Sequence, residues 1–302
     1  MRALLLFNPS ASTTTARVRD VITAALTSEV ELEVHATKQR GHATHITAGA
    51  VHEGFDVVFA LGGDGTANEV LQALVGTPVR LGVIPGGSTN VLARDLGLPR
   101  DPVEATGVLL DRLRARADVT IGLGRANGRY FAANAGYGFD AAVVRLVERR
   151  HRLKRAVRQL SFVWCGLQEF FLHYDRRALP VTVELPDDPQ GAHYGFCIVG
   201  NTSPYTYLGD RPLMVHPDAS FQRGIDLLAV RSLHTATVLR VLVQALTTAG
   251  HVRSRAVDYR HDLSTFTLRS PTPLPLQIDG DYAGEHREVV FTSAPDALHV
   301  LA

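Results

Sequence analysis

A nearly continuous apolar run, FDVVFAL (residues 55–61), passes directly into GGDGT and then into an amphipathic segment ending near Val75. The same three-part unit recurs at once: residues 79–84 read as a strand, 85–88 (PGGS) as a glycine-rich turn, and 89–96 as a helix. A strand with no polar face must be covered on both sides, which is the condition of a parallel strand flanked by helices. Two consecutive strand, glycine turn, helix units therefore restrict this region to an open α/β sheet with both loops at the carboxyl edge, where such folds bind ligands. The preceding residues keep the rhythm, with a strand at 2–7 ended by Asn8-Pro9, a helix at 16–26, a strand at 30–35 and a helix at 42–53 ended by Gly54.

After Leu110 the texture changes. Alternating segments at 119–126 and 129–133 flank Asn127-Gly128, the strongest short-range hairpin signal in the chain. AGYGFDAAV turns from a glycine loop into a helix near Phe139, and from Val181 onward short strands are broken by PDDP, SPY, HPD and SPTPLP, with one helical interruption at 235–249. The expected architecture is an N-terminal open α/β domain, residues 1–120, which the family resemblance given below makes the nucleotide-binding one, followed by a C-terminal antiparallel β-rich, sandwich-like domain, residues 121–302. The boundary falls near 115–122, and the segment after Glu288 is compatible with either domain. At 302 residues and 45% hydrophobic content the chain can bury the cores of two ordinary domains.

Charge excludes more than it selects. Lys plus Arg is 31 and Asp plus Glu is 30, so nothing global asks for nucleic acid. The apolar run of MRALLLF is too short for a leader core, and no segment reaches the roughly eighteen uncharged apolar residues of a membrane span. With two cysteines, Cys165 and Cys197, in apolar surroundings, a cytoplasmic protein with at most peripheral membrane contact is expected. RRHRLKRAVRQLSFVWCGLQEFFLHY, beginning at Arg149, sets basic residues before an aromatic run; it suits either a membrane interface or a solvated end followed by a core helix. An edge strand would permit a homodimer without requiring one.

Glycine lets backbone amides approach a ligand with no side chain between, and Gly62, Gly63 and Gly65 stand between a strand and a helix start, as an anion nest requires. Neither GxxxxGK[ST] nor GxGxxG is present. Asp64 is then the odd member, because a carboxylate beside phosphates is repulsive unless a cation such as Mg²⁺ bridges them. The alternative is a helix cap. PGGSTN, the second loop, brings hydroxyl and amide donors to the same edge; an ordinary turn with Ser88 as N-cap is its plain reading. Asp279-Gly280 is likewise a good hairpin turn as well as a candidate for chemistry.

Taken together, NPSAS, GGDGTANEV, PGGSTNVLARDLGLP, NAGYGFDAAV and IDGD resemble the soluble bacterial diacylglycerol kinase family, whose catalytic domain is shared with sphingosine and ceramide kinases, along essentially the whole chain. That resemblance implies a cytoplasmic enzyme, peripheral at the inner membrane face, that uses ATP and Mg²⁺ to phosphorylate a lipid hydroxyl across an interdomain cleft. Diacylglycerol would give phosphatidic acid; a sphingoid base, phosphatidylglycerol or a glycolipid is the alternative acceptor, and a nucleotide-binding regulatory protein without catalysis the alternative class. By matching motifs, Asn8, Gly63, Asp64, Thr66 and Glu69 fall on the first nucleotide element and Gly87, Ser88, Thr89 and Asn90 on the second. Asp64 is implied beside the transferred phosphate and its metal, Asp140 near the cleft, and Asp279 as the general base. A second, structural metal would use Asp226, although Arg223 stands where the family pattern has its first acid. Two further departures are Asn90-Val91-Leu92, where Asn-Asp-Phe is commoner, and Asp281, where Glu is commoner.

Overall fold

Arg2–Phe7 (β1) places residues 3–6, all buried, between two parallel neighbours. These are Glu31–Ala36 (β2) on one side and Val57–Gly62 (β3) on the other; β3 in turn pairs in parallel with Arg80–Pro85 (β4). The computed structural model describes residues 1–9, 11, 14–150 and 179–302, with 149 and 150 for their backbone only. Its contacts divide them into two units, Met1–Leu123 with Pro295–Ala302, and Gly124–Ala294.

In the first unit every residue of β3 is buried, which is why that run carries no polar alternation. Ala16–Thr27 (α1), His42–His52 (α2) and Asp64–Leu74 (α3) follow β1, β2 and β3, and Val91–Asp95 (α4) and Pro102–Ala115 (α5) follow β4. The sheet order β2-β1-β3-β4 means that the chain leaves β1 in one direction and returns across it to β3. Right-handed crossovers then put α1 on one face and α2 with α3 on the other, in keeping with the packing of α1 on α5 and of α2 on α3. The crevice between the carboxyl ends of β1 and β3 is thereby the topological switch point. Local chemistry fixes the helix starts: Thr15 accepts the Val18 amide at α1, and Asp101 accepts those of Val103 and Glu104 ahead of Pro102 at α5. Asp118–Ala126 (β5) leads out of this unit.

The second unit is antiparallel. β5 turns into Arg129–Phe131 (β6) through Asn127 and Gly128, whose φ angles of 44° and 90° are the left-handed pair of a type I′ hairpin. Asn134–Tyr137 (β7) precedes the helix Phe139–Arg150 (α6), and Val181–Leu185 (β8), Asp188–Tyr194 (β9), Phe196–Gly200 (β10), Thr206–Leu208 (β11), Arg211–Leu213 (β12) and Ile225–Val230 (β13) follow. Thr235–Thr247 (α7) separates β13 from Val257–Leu263 (β14), Thr265–Ile278 (β15) and Asp281–Leu301 (β16). β15 holds the layers together: its residues 267–269 pair with β8, and 276–278 pair with β7 beside β10, β13 and β14. Between them the prolines of SPTPLP, expected to break strands, lie within one continuous strand. They coincide with its register shift against β16, where ladder donors are not needed. The core between the layers is aromatic, with Phe266 stacked on Phe291 at 5.2 Å and Phe131 edge-on to Phe291. β16 starts in the second unit, and its end returns to the first, where Val300 pairs in parallel with Leu81 of β4. Among the described residues no helix is long and apolar enough to cross a membrane.

Candidate active site

Both glycine loops occupy the carboxyl edge of the first unit. β3 ends at Gly62, α3 starts at Asp64 with Gly63 as its extended N-cap, and the Gly86 amide donates to the Gly62 carbonyl at 2.7 Å. A Cβ on Gly86 would lie 2.9 Å from the Gly62 Cα, and one on Gly87 only 2.7 Å from the Gly63 Cα. The two loops thus cross backbone on backbone, an approach open only to glycine. Asn90, left-handed at φ 50°, closes the second loop on itself, its Oδ1 accepting from the Gly87 amide at 2.8 Å and its Nδ2 donating to the Gly87 carbonyl at 2.9 Å. The amides of Gly86 and Gly87 are therefore spent within the fold. Those of Gly63 and Gly65 on one loop, and of Ser88 and Thr89 on the other, have no partner among the described residues. Four such donors at a switch point and a helix N-terminus make an anion nest.

Asp64 is the first residue of α3, and the helix it caps is another one: its Oδ1 accepts the Leu92 amide in the first turn of α4, at 3.3 Å. It therefore ties the two loops together. The N-cap position of α4 is Asn90 rather than Ser88. Asn8 stands at the end of β1 and donates its amide to the Leu61 carbonyl, so it shares the switch point. Thr66 lies under Gly62, where a Cβ would come within 2.5 Å of its Oγ1. Glu69, which its motif places on the first nucleotide element, is engaged with α2. Both carboxylate oxygens accept amides at the start of α2, from Gly41 at 2.8 Å and Ala43 at 3.1 Å. Gly41 offers that helix no side-chain cap, and Glu69 supplies one from α3.

Within the second unit the Asp279-Gly280 turn joins β15 to β16 with φ angles of 47° and 81°, again a type I′ pair. The hairpin and chemical readings of this aspartate coexist. Its Oδ2 accepts the Ala132 amide at 2.9 Å, and its Oδ1 those of Ala133 and Asn134 at 2.9 and 3.0 Å. Asn134 is fixed in turn by Gln277, whose Nε2 donates to Asn134 Oδ1 at 3.0 Å and to Asp140 Oδ2 at 2.9 Å, while Asp140 Oδ1 accepts the Tyr205 hydroxyl at 2.7 Å. Burial raises the Asp140 carboxyl above its usual range, with the Tyr205 and Gln277 hydrogen bonds opposing the rise. Asp140 thus connects to Asp279 through Gln277 and Asn134. Asp281 pairs with Ile278 across the turn and lies 3.7 Å from Arg129.

Gln277, Asn134 and Tyr205 were missed at the level of sequence. The available signal was a glutamine in the otherwise apolar PLPLQI; Gln277 is fully buried, and a buried amide requires partners. Asp226 Oδ2 accepts the Tyr259 hydroxyl at 2.5 Å and its Oδ1 the Asp262 amide at 3.0 Å; among the described residues no group of three His, Cys, Asp or Glu side chains is placed to hold a metal ion. The basic and aromatic stretch after Arg149 lies outside the described residues.

Known families match both units. Residues 2–121 fit the diacylglycerol kinase catalytic domain, and residues 133–302 the YegS C-terminal NAD kinase beta sandwich-like domain. A diacylglycerol kinase of Bacillus subtilis is 29% identical over 296 residues, covering 94% of this chain and 90% of its own. One of Staphylococcus saprophyticus is 28% identical over 289 residues, with the same coverage of 94% and 90%. A crystal structure of a diacylglycerol kinase from Bacillus anthracis shares the fold with a TM-score of 0.76 at 19% identity, over 99% of this chain and 96% of that one. An open α/β unit with paired glycine loops, followed by this β-sandwich, defines a lipid kinase. The chain belongs to the diacylglycerol kinase family, and a kinase of that family uses ATP.

Proposed function

We propose that the protein transfers the γ-phosphoryl group of ATP to the primary hydroxyl of diacylglycerol, giving phosphatidic acid. The observation that carries the reading is the set of four amides, of Gly63, Gly65, Ser88 and Thr89, that have no partner among the described residues and are gathered by two loops that only glycine allows to cross. Donors of this kind suit phosphate oxygens, and the relatives, named as diacylglycerol kinases, suggest the acceptor class. Asp64 is the carboxylate on the same edge and would hold Mg²⁺, which prefers one or two carboxylates completed by phosphate oxygens and water to an all-protein cage. When bound, the ion neutralises charge on the phosphates. Asn8, Thr66 and Asn90 shape the loops that receive them, and Glu69 acts one layer behind, by holding α2.

An alcohol is a poor nucleophile at neutral pH, so its oxygen must be aligned on the γ-phosphorus and must lose its proton as the new P–O bond forms and the bond to ADP breaks. Asp279 takes that proton. The amides of residues 132–134 fix the carboxylate in one orientation, which is what a positioned proton acceptor needs. Asp140 and Gln277 are positioning residues, acting on Asp279 through Asn134; Asp281 and Arg129 steady the opposite side of the turn. Incubating the protein with labelled ATP, Mg²⁺ and an extracted lipid mixture tests the proposal. Label in phosphatidic acid is the expected result. Label in a sphingoid base, phosphatidylglycerol or a glycolipid would replace the acceptor, and label in no lipid would overturn the reading.

A further inference from the structure

Helix α7 carries two apolar faces. Val238 and Val241 pack on the cluster of Phe196, Leu228 and Val230 from β10 and β13, and Ala245 is buried. Leu239, Leu242 and Val243 lie on the other side and are 49%, 44% and 58% exposed. At roughly 100° per residue, Leu242 and Val243 fall within about 60° of Leu239, so the three form one stripe. Arg240 follows on its flank, facing an open recess of about 440 Å³ that it lines with Gln244, Gly250, Arg253, Ser254 and Arg255. The Gln244 Oε1 is buried without a hydrogen-bond partner among the described residues.

Charge in the chain segment that carries this face is of one sign. Residues 227–257 contain no aspartate or glutamate, yet they contain Arg231, Arg240, Arg253 and Arg255. Arg231 is paired with Asp258. The other three are exposed and have no ion pair among the described residues. An exposed apolar stripe bordered by uncompensated arginines has the two attractions that hold a helix in the plane of a bilayer interface: apolar burial and attraction to anionic headgroups. A second copy of the chain fits less well, because a two-fold contact would turn this surface on itself and bring arginines toward arginines.

We propose that the Leu239, Leu242 and Val243 face of α7, with the arginine recess beside it, docks on a bilayer containing anionic phospholipid. The side chains of the stripe enter the interface while Arg240, Arg253 and Arg255 engage lipid phosphates. The proposal rests on the lipid-acceptor reading, since an acceptor that lives in a bilayer must be met there. Sedimentation of the full chain with vesicles of phosphatidylcholine alone, or of equimolar phosphatidylcholine and phosphatidylglycerol, tests it. Wild-type protein should prefer the anionic vesicles. Leu239→Asp with Val243→Asp, and separately Arg253→Gln with Arg255→Gln, should each lower partitioning by about tenfold or more. Phosphorylation of a short-chain, water-soluble diglyceride should be unchanged in both variants. Variants that sediment like wild type would overturn the proposal, as would equal binding of wild type to both vesicles. So would loss of a dimer in lipid-free solution with vesicle binding intact. Failure of wild-type protein to phosphorylate the short-chain diglyceride would instead remove the acceptor reading, leaving the docking surface to be judged by sedimentation alone.

Discussion

The carboxylates of Asp64 and Asp279 are built on opposite kinds of backbone. Asp64 opens a helix at the edge of a parallel sheet, beside four amides without a partner among the described residues, and it accepts the Leu92 amide at 3.3 Å. Asp279 is a left-handed turn residue in an antiparallel hairpin, and three amides grip it at 2.9 to 3.0 Å. A carboxylate at a helix start beside N–H groups suits a cation and phosphates that arrive together. One gripped by three amides in a hairpin suits a fixed acceptor for a single proton. Parallel sheets end in helix N-termini and thus attract anions, whereas a hairpin turn can be anchored only by what packs beside it.

The largest way to break this comparison is Asp64→Ala. Losing the carboxylate that would hold Mg²⁺ should lower turnover by about a thousandfold, roughly 4 kcal/mol, and should also abolish the Mg²⁺ dependence of ATP binding measured by calorimetry. Next in size is a difference in acid stability between the units. In the second unit His216 and His251 are buried, each bonded through Nε2 to a carbonyl with Nδ1 unpartnered, and burial lowers the His216 pKa from 6.5 to about 4 and lowers that of His251 as well. A depressed histidine pKa means that the unfolded chain binds protons first. Stability should be level above about pH 6.5 and fall from there toward pH 4, with His216 alone accounting for about 3 kcal/mol. Hydrogen exchange should accordingly show the second unit opening before the first as pH falls, and His216→Gln should flatten that slope.

Smaller effects sharpen the loop side. Gly87→Ala forces a Cβ against the Gly63 backbone and should cost about 1 to 3 kcal/mol of stability while raising the KM for ATP, with the KM for lipid unchanged. Glu69→Ala should cost only about 1 kcal/mol, read as a lowered Tm, because it removes a remote helix cap. Its KM for ATP should stay at the wild-type value; a large rise would return Glu69 to the phosphate site.

Much of this fold is legible in the sequence because its signals are local. The unbroken FDVVFAL, the doubled glycine turn and the Asn-Gly and Asp-Gly pairs each report a backbone constraint that neighbouring residues alone impose. What could not be read depends on residues distant in the chain. Glu69 follows the GGDGT motif closely, yet its side chain turns to α2, more than twenty residues earlier. Asp226 fits a metal pattern in one dimension and meets Tyr259 in three. The route from Asp140 to Asp279 runs through Gln277 and Asn134, which belong to different strands. SPTPLP shows the same limit from the side of structure, since proline forbids a ladder bond but not a strand whose partner shifts register there.

The proposed division of labour is tested most directly by Asp279→Asn, a substitution that tolerates the left-handed turn while removing the proposed proton acceptor. Calorimetry of ATP binding and transfer of labelled phosphate to diacylglycerol should be measured on the same preparation. The account predicts a wild-type Kd for ATP with turnover reduced by about a hundredfold or more. Turnover near the wild-type rate would contradict it.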